Sequence, residues 1–485
     1  MDLYFPGEPY QHQKEVVQET WDKLFWALFW EMGTGKSYAL ITTIVNLYLA
    51  GKVDTVLYVA KKGELANFRV YEIPKYWPEH IPLCSEIYQG YVSSKHVAAV
   101  KRMLAPFSKG LKLYSINIES LRSGKPLAIA EKYLRTSKKT LIAVDESTTL
   151  KDPKSSQTKA LMHLRNYAKY ARIMTGTVIP HGPVDVWSQA RFLNPDAMPG
   201  YRSITAFKAD FLEQEIQFAG PRRYLATLGP KNMDRLQQVI KVFASVLTKA
   251  DCLDLPPKIY KDQFVKLTDE QERLYQEMVD FSIAEIGDKE YIEGVNALAV
   301  AGKLHQIVCG QVRMPDGTYR LIQNNRYSVV EELCETILES QKKVIIWSHY
   351  VAASQGLMDY LTKAGLNFVF MPGGLSIDER QRRIAEFKTN DKVDGFLANP
   401  QSSGFGSTLT EAKTAIYYSN SDNYEHRLQS EDRNHRIGQD EACLYIDCRT
   451  PGTVEDRVYS RNALKASTRL EVMGRNDFIR LISLG

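Results

Sequence analysis

No run of apolar residues in this chain is long enough to cross a bilayer: the longest, Leu24 to Trp30, falls far short of the ~20 residues a spanning helix needs. The N-terminus, MDLYFPGEPY, lacks the basic and apolar regions of a secretory leader. A membrane span and an exported precursor are therefore not expected, and a cytoplasmic protein is. Cysteine is scarce as well. Six lie at positions 84, 252, 309, 334, 443 and 448, with no C-x-x-C pair and no nearby histidine at a zinc-site spacing. Reduced, structural thiols are the expectation, again that of a cytoplasm-like compartment. Low-complexity tracts and internal repeats are absent, and so is strong charge: a net +5 over 485 residues permits nucleic acid without demanding it, so any basic surface must be local. With 44% apolar and 25% charged residues, the composition is that of a globular chain. Its length suits two or three domains at ~150 residues each.

Short apolar, β-branched segments recur between helical patterns: Thr55 to Ala60, Leu111 to Ile118, Thr140 to Val144, Ala171 to Met174, Lys343 to Trp347, Asn367 to Met371, Gly395 to Leu397, Ala415 to Ser419 and Cys443 to Cys448. Strands alternating with helices predict an α/β fold of parallel sheets flanked by helices. The segments form two groups around a mainly helical middle, about 180–310. Between the groups, DLPPKIYKDQFVKL (Asp254 to Leu267) has paired prolines and then alternates like an edge strand, which suits a hinge. The expected division is a first lobe over about 1–250 with a helical insertion at about 195–250. A second lobe follows over about 251–460 with a helical insertion at about 268–310, then a helical, basic tail or brace over 461–485.

The stretch WALFWEMGTGKS, Trp26 to Ser37, throws an apolar run into a glycine turn. Such a turn lets backbone N–H groups approach phosphate oxygens, the following helix N-terminus favours negative charge, and Lys36 can reach terminal phosphates while Ser37 binds Mg²⁺. The strict pattern G-x-x-x-x-G-K-[ST] begins with a glycine where this chain has Trp30, so an incidental strand-to-helix turn also fits. Further along, LIAVDEST (Leu141 to Thr148) delivers Asp145 and Glu146 at a strand's carboxyl end, where ligands of such sheets sit. Asp145 suits Mg²⁺, directly or through water, and Glu146 suits orienting and deprotonating an attacking water. Alone, the pair also reads as a helix cap. In EPYQHQ, Gln11 precedes the first helix, where its amide can pair with an adenine edge; an ordinary surface glutamine is the plainer alternative. Almost 400 residues on, QSEDRNHRIGQ places Arg433 and Arg436 one helical turn apart, so that they project from one face. They read either as a solvated basic face or as an arginine-finger pair for a γ-phosphate, a device contributing roughly a thousandfold in rate.

Taken together, these motifs resemble those of superfamily-two helicase motors, most of all the Swi/Snf-type DNA translocases. The resemblance runs from Glu8 to about Val458. EMGTGKS resembles the first motif of that family, in which the early glycine is commonly absent; VDESTTLKDPKSS resembles the second, and MTGTVIPHGPVDVWSQARFLNP the third. LPPK followed by LTDEQERLYQEM is similar to the start of the second lobe, KKVIIWSHY to motif four, SSGFGSTLTEAKTAIYYSNSDNYEHR to motif five and QSEDRNHRIGQ to motif six. The resemblance implies two RecA-like lobes with ATP and Mg²⁺ in a cleft between them and DNA crossing both. It implies adenine contact at Gln11; phosphate and Mg²⁺ contacts at Gly33, Thr34, Gly35, Lys36, Ser37 and Asp145, with Ser37 and Asp145 as the metal ligands; and catalysis by Glu146. It further implies γ-phosphate sensing by Gln429, Arg433 and Arg436, nucleotide contact near Gly404 and Gly406, and coupling of ATP to DNA by Thr175, Gly176 and Thr177. Two departures stand out. Ser147-Thr148 replaces the usual Ala-His after the acidic pair, and Asn399-Pro400 replaces the Ser-Thr pair that touches the DNA backbone.

A motor that steps along any sequence must bind what every sequence shares, its phosphates. Candidates are Lys61 and Lys62 after one strand, Ser115 and Asn117 in YSINIES, and Ser348 and His349 after VIIW; ordinary loop polarity is the alternative for each. No chromodomain-like, bromodomain-like or long basic extension is visible, so the expectation is a compact, bare motor of a kind compatible with a bacterial virus or a bacterium, monomeric in action. The expected function is ATP-dependent translocation on duplex or branched DNA, including fork or junction remodelling and branch migration. An RNA helicase and a non-hydrolysing, ATP-gated DNA clamp are the competing expectations.

Overall fold

Why nine apolar segments should pair with one another is clear from their burial. A computed structural model describes residues 2–472 apart from 89, 91, 106–109, 123, 177, 179–181, 220–221, 288–293 and 402–407. The chain divides after Asp254 into a first unit, residues 1–254 with 465–485, and a second, Leu255–Leu464.

In the first unit the strands are β1 (Phe25–Trp30), β2 (Thr55–Ala60), β3 (Leu83–Ile87), β4 (Leu111–Asn117), β5 (Thr140–Val144), β6 (Tyr170–Met174), β7 (Leu212–Ala219), β8 (Arg222–Pro230) and β9 (Ala244–Leu247). Seven of them form a sheet in the order β3-β4-β2-β5-β6-β1-β9. All its pairings are parallel. Parallel strands are covered on both faces, so they carry apolar residues at every position. Alternate side chains serve opposite cores: Ala27 and Phe29 of β1 join Ile142 and Val144 of β5 on one face. Trp26, Leu28 and Trp30 join Leu141 and Ala143 on the other.

The second unit holds β10 (Lys258–Phe264), β11 (Gln311–Arg313), β12 (Tyr319–Leu321), β13 (Val344–Trp347), β14 (Phe368–Met371), β15 (Gly395–Ala398), β16 (Thr414–Tyr417) and β17 (Cys443–Arg449). Its six-stranded sheet runs β10-β17-β16-β13-β15-β14, again all parallel. β13 shows the same division, with Val344 and Ile346 in one core and Ile345 and Trp347 in the other. Two parallel sheets flanked by helices are the architecture of tandem RecA-like lobes. The alternating KIYKDQF is the edge strand β10, preceded by Pro256 and Pro257, which cannot donate to a ladder.

The structure departs from expectation in the middle of the chain. The insertion expected to be helical at about 195–250 contains a helix Ile204–Phe211, an antiparallel β7–β8 pair and a helix Met233–Lys241. In LEQEIQFA the apolar residues alternate with period two, the signal of a strand, and a helical reading overlooked it. The sheet-edge strands β3 and β9 also escaped notice, because their half-exposed residues mix polar with apolar. Between about 268 and 310 the chain does form helices, Asp269–Gly287 and Gly294–Val308, with the β11–β12 hairpin after them. No helix among the described residues is long and apolar enough to cross a membrane.

Candidate nucleotide site and nucleic-acid interface

Trp30, the residue standing where a stricter phosphate loop has glycine, is the last residue of β1. Its side chain is completely buried, and its Nε1 donates to Ser245 Oγ of β9 at 2.8 Å. The turn starts only after it, so no glycine is required at this position. Gly33 and Gly35 adopt φ of 79° and 89°, a conformation that a side chain would strain. A Cβ on Gly35 would also lie 2.0 Å from Gln13 Nε2. Gln13 is buried; it accepts from Tyr10 N at 3.1 Å and donates to Thr34 O at 3.2 Å, beside a His12 Nε2–Thr34 O contact of 2.8 Å. Gln13 and His12 thus fasten the turn to the first helix, Gln11–Thr20. Sequence reasoning missed both, although the spacing Q-H-Q held them. Lys36 opens the helix Lys36–Leu49, and its ammonium donates to Trp30 O at 2.9 Å and Glu31 O at 3.1 Å, over the turn and the helix's unpaired N–H groups. Ser37 follows it, half-buried.

Gln11 is exposed and donates to Glu15 Oε1 at 2.6 Å. With Tyr10, His12, Glu15 and residues 250–254 it lines a cavity of about 620 Å³, within the size range of small-molecule sites. Cys252, in the same wall, has its thiol pushed up to about 11 by burial and neighbouring carboxylates, so it stays protonated there.

The acidic pair follows β5, which lies between β2 and β6. Asp145 Oδ2 accepts from the Tyr58 hydroxyl of β2 at 2.7 Å, and Oδ1 accepts from Glu146 N at 2.9 Å. Burial first, and Asp145 second, hold the Tyr58 phenol well above its ordinary range, so it remains a donor and fixes the carboxylate. Nothing in the sequence pointed to this tyrosine, because strand pairing alone brings it there. Glu146 adopts φ of 49°, unusual for a residue with a side chain; such backbone strain costs about 1–3 kcal/mol and clusters at functional sites. Its side chain is 8% exposed, and Thr175 Oγ1 donates to its Oε2 at 3.4 Å. Thr175, just past β6, also ties its backbone N–H to Leu28 O of β1 at 3.2 Å, and a Cβ on Gly176 would meet Met32 Cγ of the glycine turn at 2.8 Å. The Lys36 turn, Glu146 and Thr175-Gly176 therefore come together at the carboxyl ends of the adjacent strands β5, β6 and β1. Thr177 lies outside the described residues. In the Ser147-Thr148 pair, where an Ala-His pair was the expectation, Ser147 Oγ turns into the core to donate to Gln189 Oε1 at 2.6 Å, and Gln189 Nε2 donates to Val178 O at 3.1 Å. The second motif is thereby joined to the third through Gln189, which lies within the third motif but was given no role there.

Ser37 and Asp145 offer a hydroxyl and a carboxylate, hard oxygen donors of the kind Mg²⁺ prefers. The oxygen chemistry fits that ion.

In the second unit, Gln429 lies on the helix Tyr424–Glu431 and donates to Glu425 Oε1 at 3.0 Å. The helix ends there. Arg433 and Arg436 lie in the turns that follow, not on a helical face as the spacing suggested. Bonds from outside the helix hold this segment: Leu409 N donates to Arg433 O at 2.7 Å, and Tyr445 Oη donates to Asn434 Oδ1 at 3.1 Å. Asp432 and Asn434 are also poor helix interior residues, so tertiary bonds win over the helical repeat. Below it, Glu431 receives Lys258 at 2.8 Å and Arg427 at 2.6 Å. Burial alone would raise this carboxyl; the two cations override it and hold it at about 2. Gly404 and Gly406 lie outside the described residues.

The nucleic-acid candidates divide. Lys61 caps the helix Lys62–Asn67 after β2, and Lys62 is exposed. Ser115 is 3% exposed inside β4, and Asn117 is occupied, donating to Glu119 Oε2 at 3.2 Å and accepting from Ser120 Oγ at 2.6 Å. Ser348 is completely buried. These three side chains are withdrawn from the surface in this conformation: Ser115 and Asn117 lie within β4, and Ser348 directly follows β13. His349 is lowered to about 4, chiefly by burial and then by His305, so it brings no charge to a phosphate at neutral pH. Asn399 donates to His349 O at 2.5 Å and accepts from Gln401 N at 2.8 Å, which ties the loop after β15 to the end of β13.

All six cysteines are free. Spacing missed one grouping, in which His305, Cys309 and Glu455 bring their ligand atoms within 4.8 Å of one another. The Arg326 guanidinium already bonds Glu455 Oε2 at 2.5 Å and lies 4.0 Å from Cys309 Sγ, so a cation of the protein itself fills the role that a metal would play.

The SNF2-related domain model matches residues 21–311, and the helicase conserved C-terminal domain model matches residues 328–438. The chain is 25% identical over 477 residues to the ATP-dependent DNA helicase DDM1 of Arabidopsis thaliana, covering 92% of this chain and 59% of that protein. It is 23% identical over 521 residues to the lymphoid-specific helicase of Homo sapiens, covering 92% and 60%. It is 24% identical over 439 residues to an uncharacterized ATP-dependent helicase of Mycoplasma pneumoniae, covering 90% and 39%. The chain thus spans 39% to 60% of the length of these relatives. Among solved structures, the Sulfolobus solfataricus SWI2/SNF2 ATPase core in complex with dsDNA aligns with a TM-score of 0.43 at 21% identity, covering 100% of this chain and 95% of that one. Since a single family model accounts for more than half of the residues, including the Lys36 turn and the Asp145-Glu146 pair, the chain belongs to the SNF2-related domain family.

Proposed function

We propose that this chain is a DNA-dependent ATPase that converts ATP hydrolysis into movement along duplex or branched DNA, with fork or junction remodelling and branch migration as its outcomes. One observation carries the reading: the Lys36 turn, the Asp145-Glu146 pair and Thr175-Gly176 converge at the carboxyl ends of three neighbouring strands. The names of the relatives, ATP-dependent DNA helicases among them, support the choice of nucleotide and of nucleic acid.

In this reading, the backbone N–H groups of residues 33–37 and the Lys36 ammonium bind the phosphates, and Gln11 meets the base at the cavity wall. Ser37 and Asp145 would hold Mg²⁺, which would supply neutralisation of phosphate charge. Glu146 takes the proton of the attacking water, and the Thr175 hydroxyl on its Oε2 orients it and reports its state to the third motif. Gln429, Arg433 and Arg436 are assigned to the γ-phosphate, where guanidinium groups stabilise the charge that builds as the bond breaks. Lys61 and Lys62 serve the DNA backbone.

Steady-state ATP hydrolysis is expected to be stimulated by duplex DNA. A comparison with single-stranded DNA and RNA checks this. Stimulation by RNA alone would make the chain an RNA helicase, and duplex binding with no hydrolysis on any nucleic acid would make it a clamp.

A further inference from the structure

The antiparallel pair β7–β8 lies outside both sheets and leaves much apolar surface in water. Phe218 is 71% exposed, Leu225 56%, Tyr224 49% and Ile216 43%. A two-stranded hairpin is marginal by itself, and exposed apolar groups on it call for a ligand. The register places Ile216 opposite Leu225 and Phe218 opposite Arg223, so all four side chains share one face. The other face carries the cross-strand Tyr224–Gln217 hydrogen bond of 3.0 Å. Charge is segregated along the ribbon. The distal segment from Ile216 to Leu225 contains Arg222 and Arg223 and no acid, whereas Glu213 and Glu215 lie toward its base.

We propose that this face binds unpaired nucleotides of DNA, with Phe218 stacking on an exposed base and Arg223 beside it meeting the adjoining phosphate. The flat Phe218 ring with the Arg223 guanidinium across from it matches what a single strand offers, a ring face and an adjoining anion. A protein partner would also accept Phe and Arg, but a face with Arg223 and no acid along its distal stretch is better matched to a polyanion. The inference rests on the DNA reading above and adds to it the feature that distinguishes a fork from a plain duplex.

The test compares the wild-type chain with Phe218→Ala, Phe218→Trp and Arg223→Ala on two probes, a blunt duplex and a fork of equal duplex length with single-stranded arms carrying 2-aminopurine. The wild-type protein is expected to bind the fork more tightly and to change 2-aminopurine fluorescence through stacking. Phe218→Ala is expected to weaken fork binding roughly tenfold and to abolish the fluorescence change while leaving blunt-duplex binding and duplex-stimulated hydrolysis unchanged. Phe218→Trp is expected to restore both signals, and Arg223→Ala to weaken fork binding and flatten its salt dependence. Unchanged fork binding by Phe218→Ala, or an equal loss on both probes, would overturn the proposal and leave the face to a protein. If duplex DNA fails to stimulate hydrolysis in any variant, the translocase reading fails separately, while the fork comparison still decides the role of the hairpin.

Discussion

Replacing Glu146 with Gln is expected to lower steady-state ATP hydrolysis by roughly 10²–10⁴-fold while ATP and DNA still bind. The substitution preserves volume, and the amide oxygen can still accept from Thr175 Oγ1, which now lies 3.4 Å from Oε2. It also inherits the same backbone, already held at φ of 49° by the pairing of β5 with its neighbours and by the Asp145 bond to Glu146 N. What an amide cannot do is take a proton from water. Binding of a fluorescent ATP analogue and of duplex DNA, measured beside turnover, separates this loss from misfolding. Near-normal turnover in the variant would remove Glu146 from its role.

Arg326→Ala is expected to destabilise the second unit by about 3–5 kcal/mol, because it strips one partner from a buried ion pair. Arg326 is 1% exposed and donates to Tyr418 O at 2.6 Å, Thr450 Oγ1 at 3.0 Å and Glu455 Oε2 at 2.5 Å. Burial would raise the Glu455 carboxyl, yet Arg326 and then His305 hold it at about 2. Burial would lower His305, yet Cys309 and Glu455 raise it to about 10. The signs set the pH window. Glu455 stabilises the fold above its ordinary value near 4.5, and that contribution is lost as pH falls toward 2. His305 stabilises it below its ordinary value of 6.5, and that contribution is lost as pH rises toward 10. Thermal melting between pH 5 and 10 should therefore show an alkaline decline that His305→Gln removes. In Arg326→Ala, Glu455 keeps His305 as its one cationic partner, so melting should fall most steeply where His305 loses its proton. A variant that melts with the wild-type protein throughout would show that the network contributes nothing.

Where local pattern and tertiary demand agree, the sequence was legible. Thr55–Ala60 and Thr140–Val144 are rich in β-branched residues, apolar after their first threonine and buried on both faces, so composition alone bounded them. The glycine turn and the acidic pair were legible for the same reason: each sits next to such a strand, and the chemistry of phosphate binding needs those residue types in order. Positions set by long-range pairing were not. Tyr58 reaches Asp145 only because β2 lies beside β5, and Gln189 reaches Ser147 only because the helix Val184–Leu193 packs behind the strand ends. Arg433 and Arg436 show the converse error, in which a three-residue spacing implied a helical face that Leu409 and Tyr445 replace with a fixed turn. In the β7–β8 ribbon, the alternation was present but short, and it was masked by neighbouring helices.

Movement along DNA, rather than hydrolysis alone, is what distinguishes a translocase from an ATP-gated clamp, and displacement of a third strand from a linear triplex reads it without requiring strand separation. Wild-type protein is predicted to release the third strand in the presence of ATP, and Glu146→Gln to leave it bound. Hydrolysis stimulated by duplex DNA with the triplex left intact would contradict translocation.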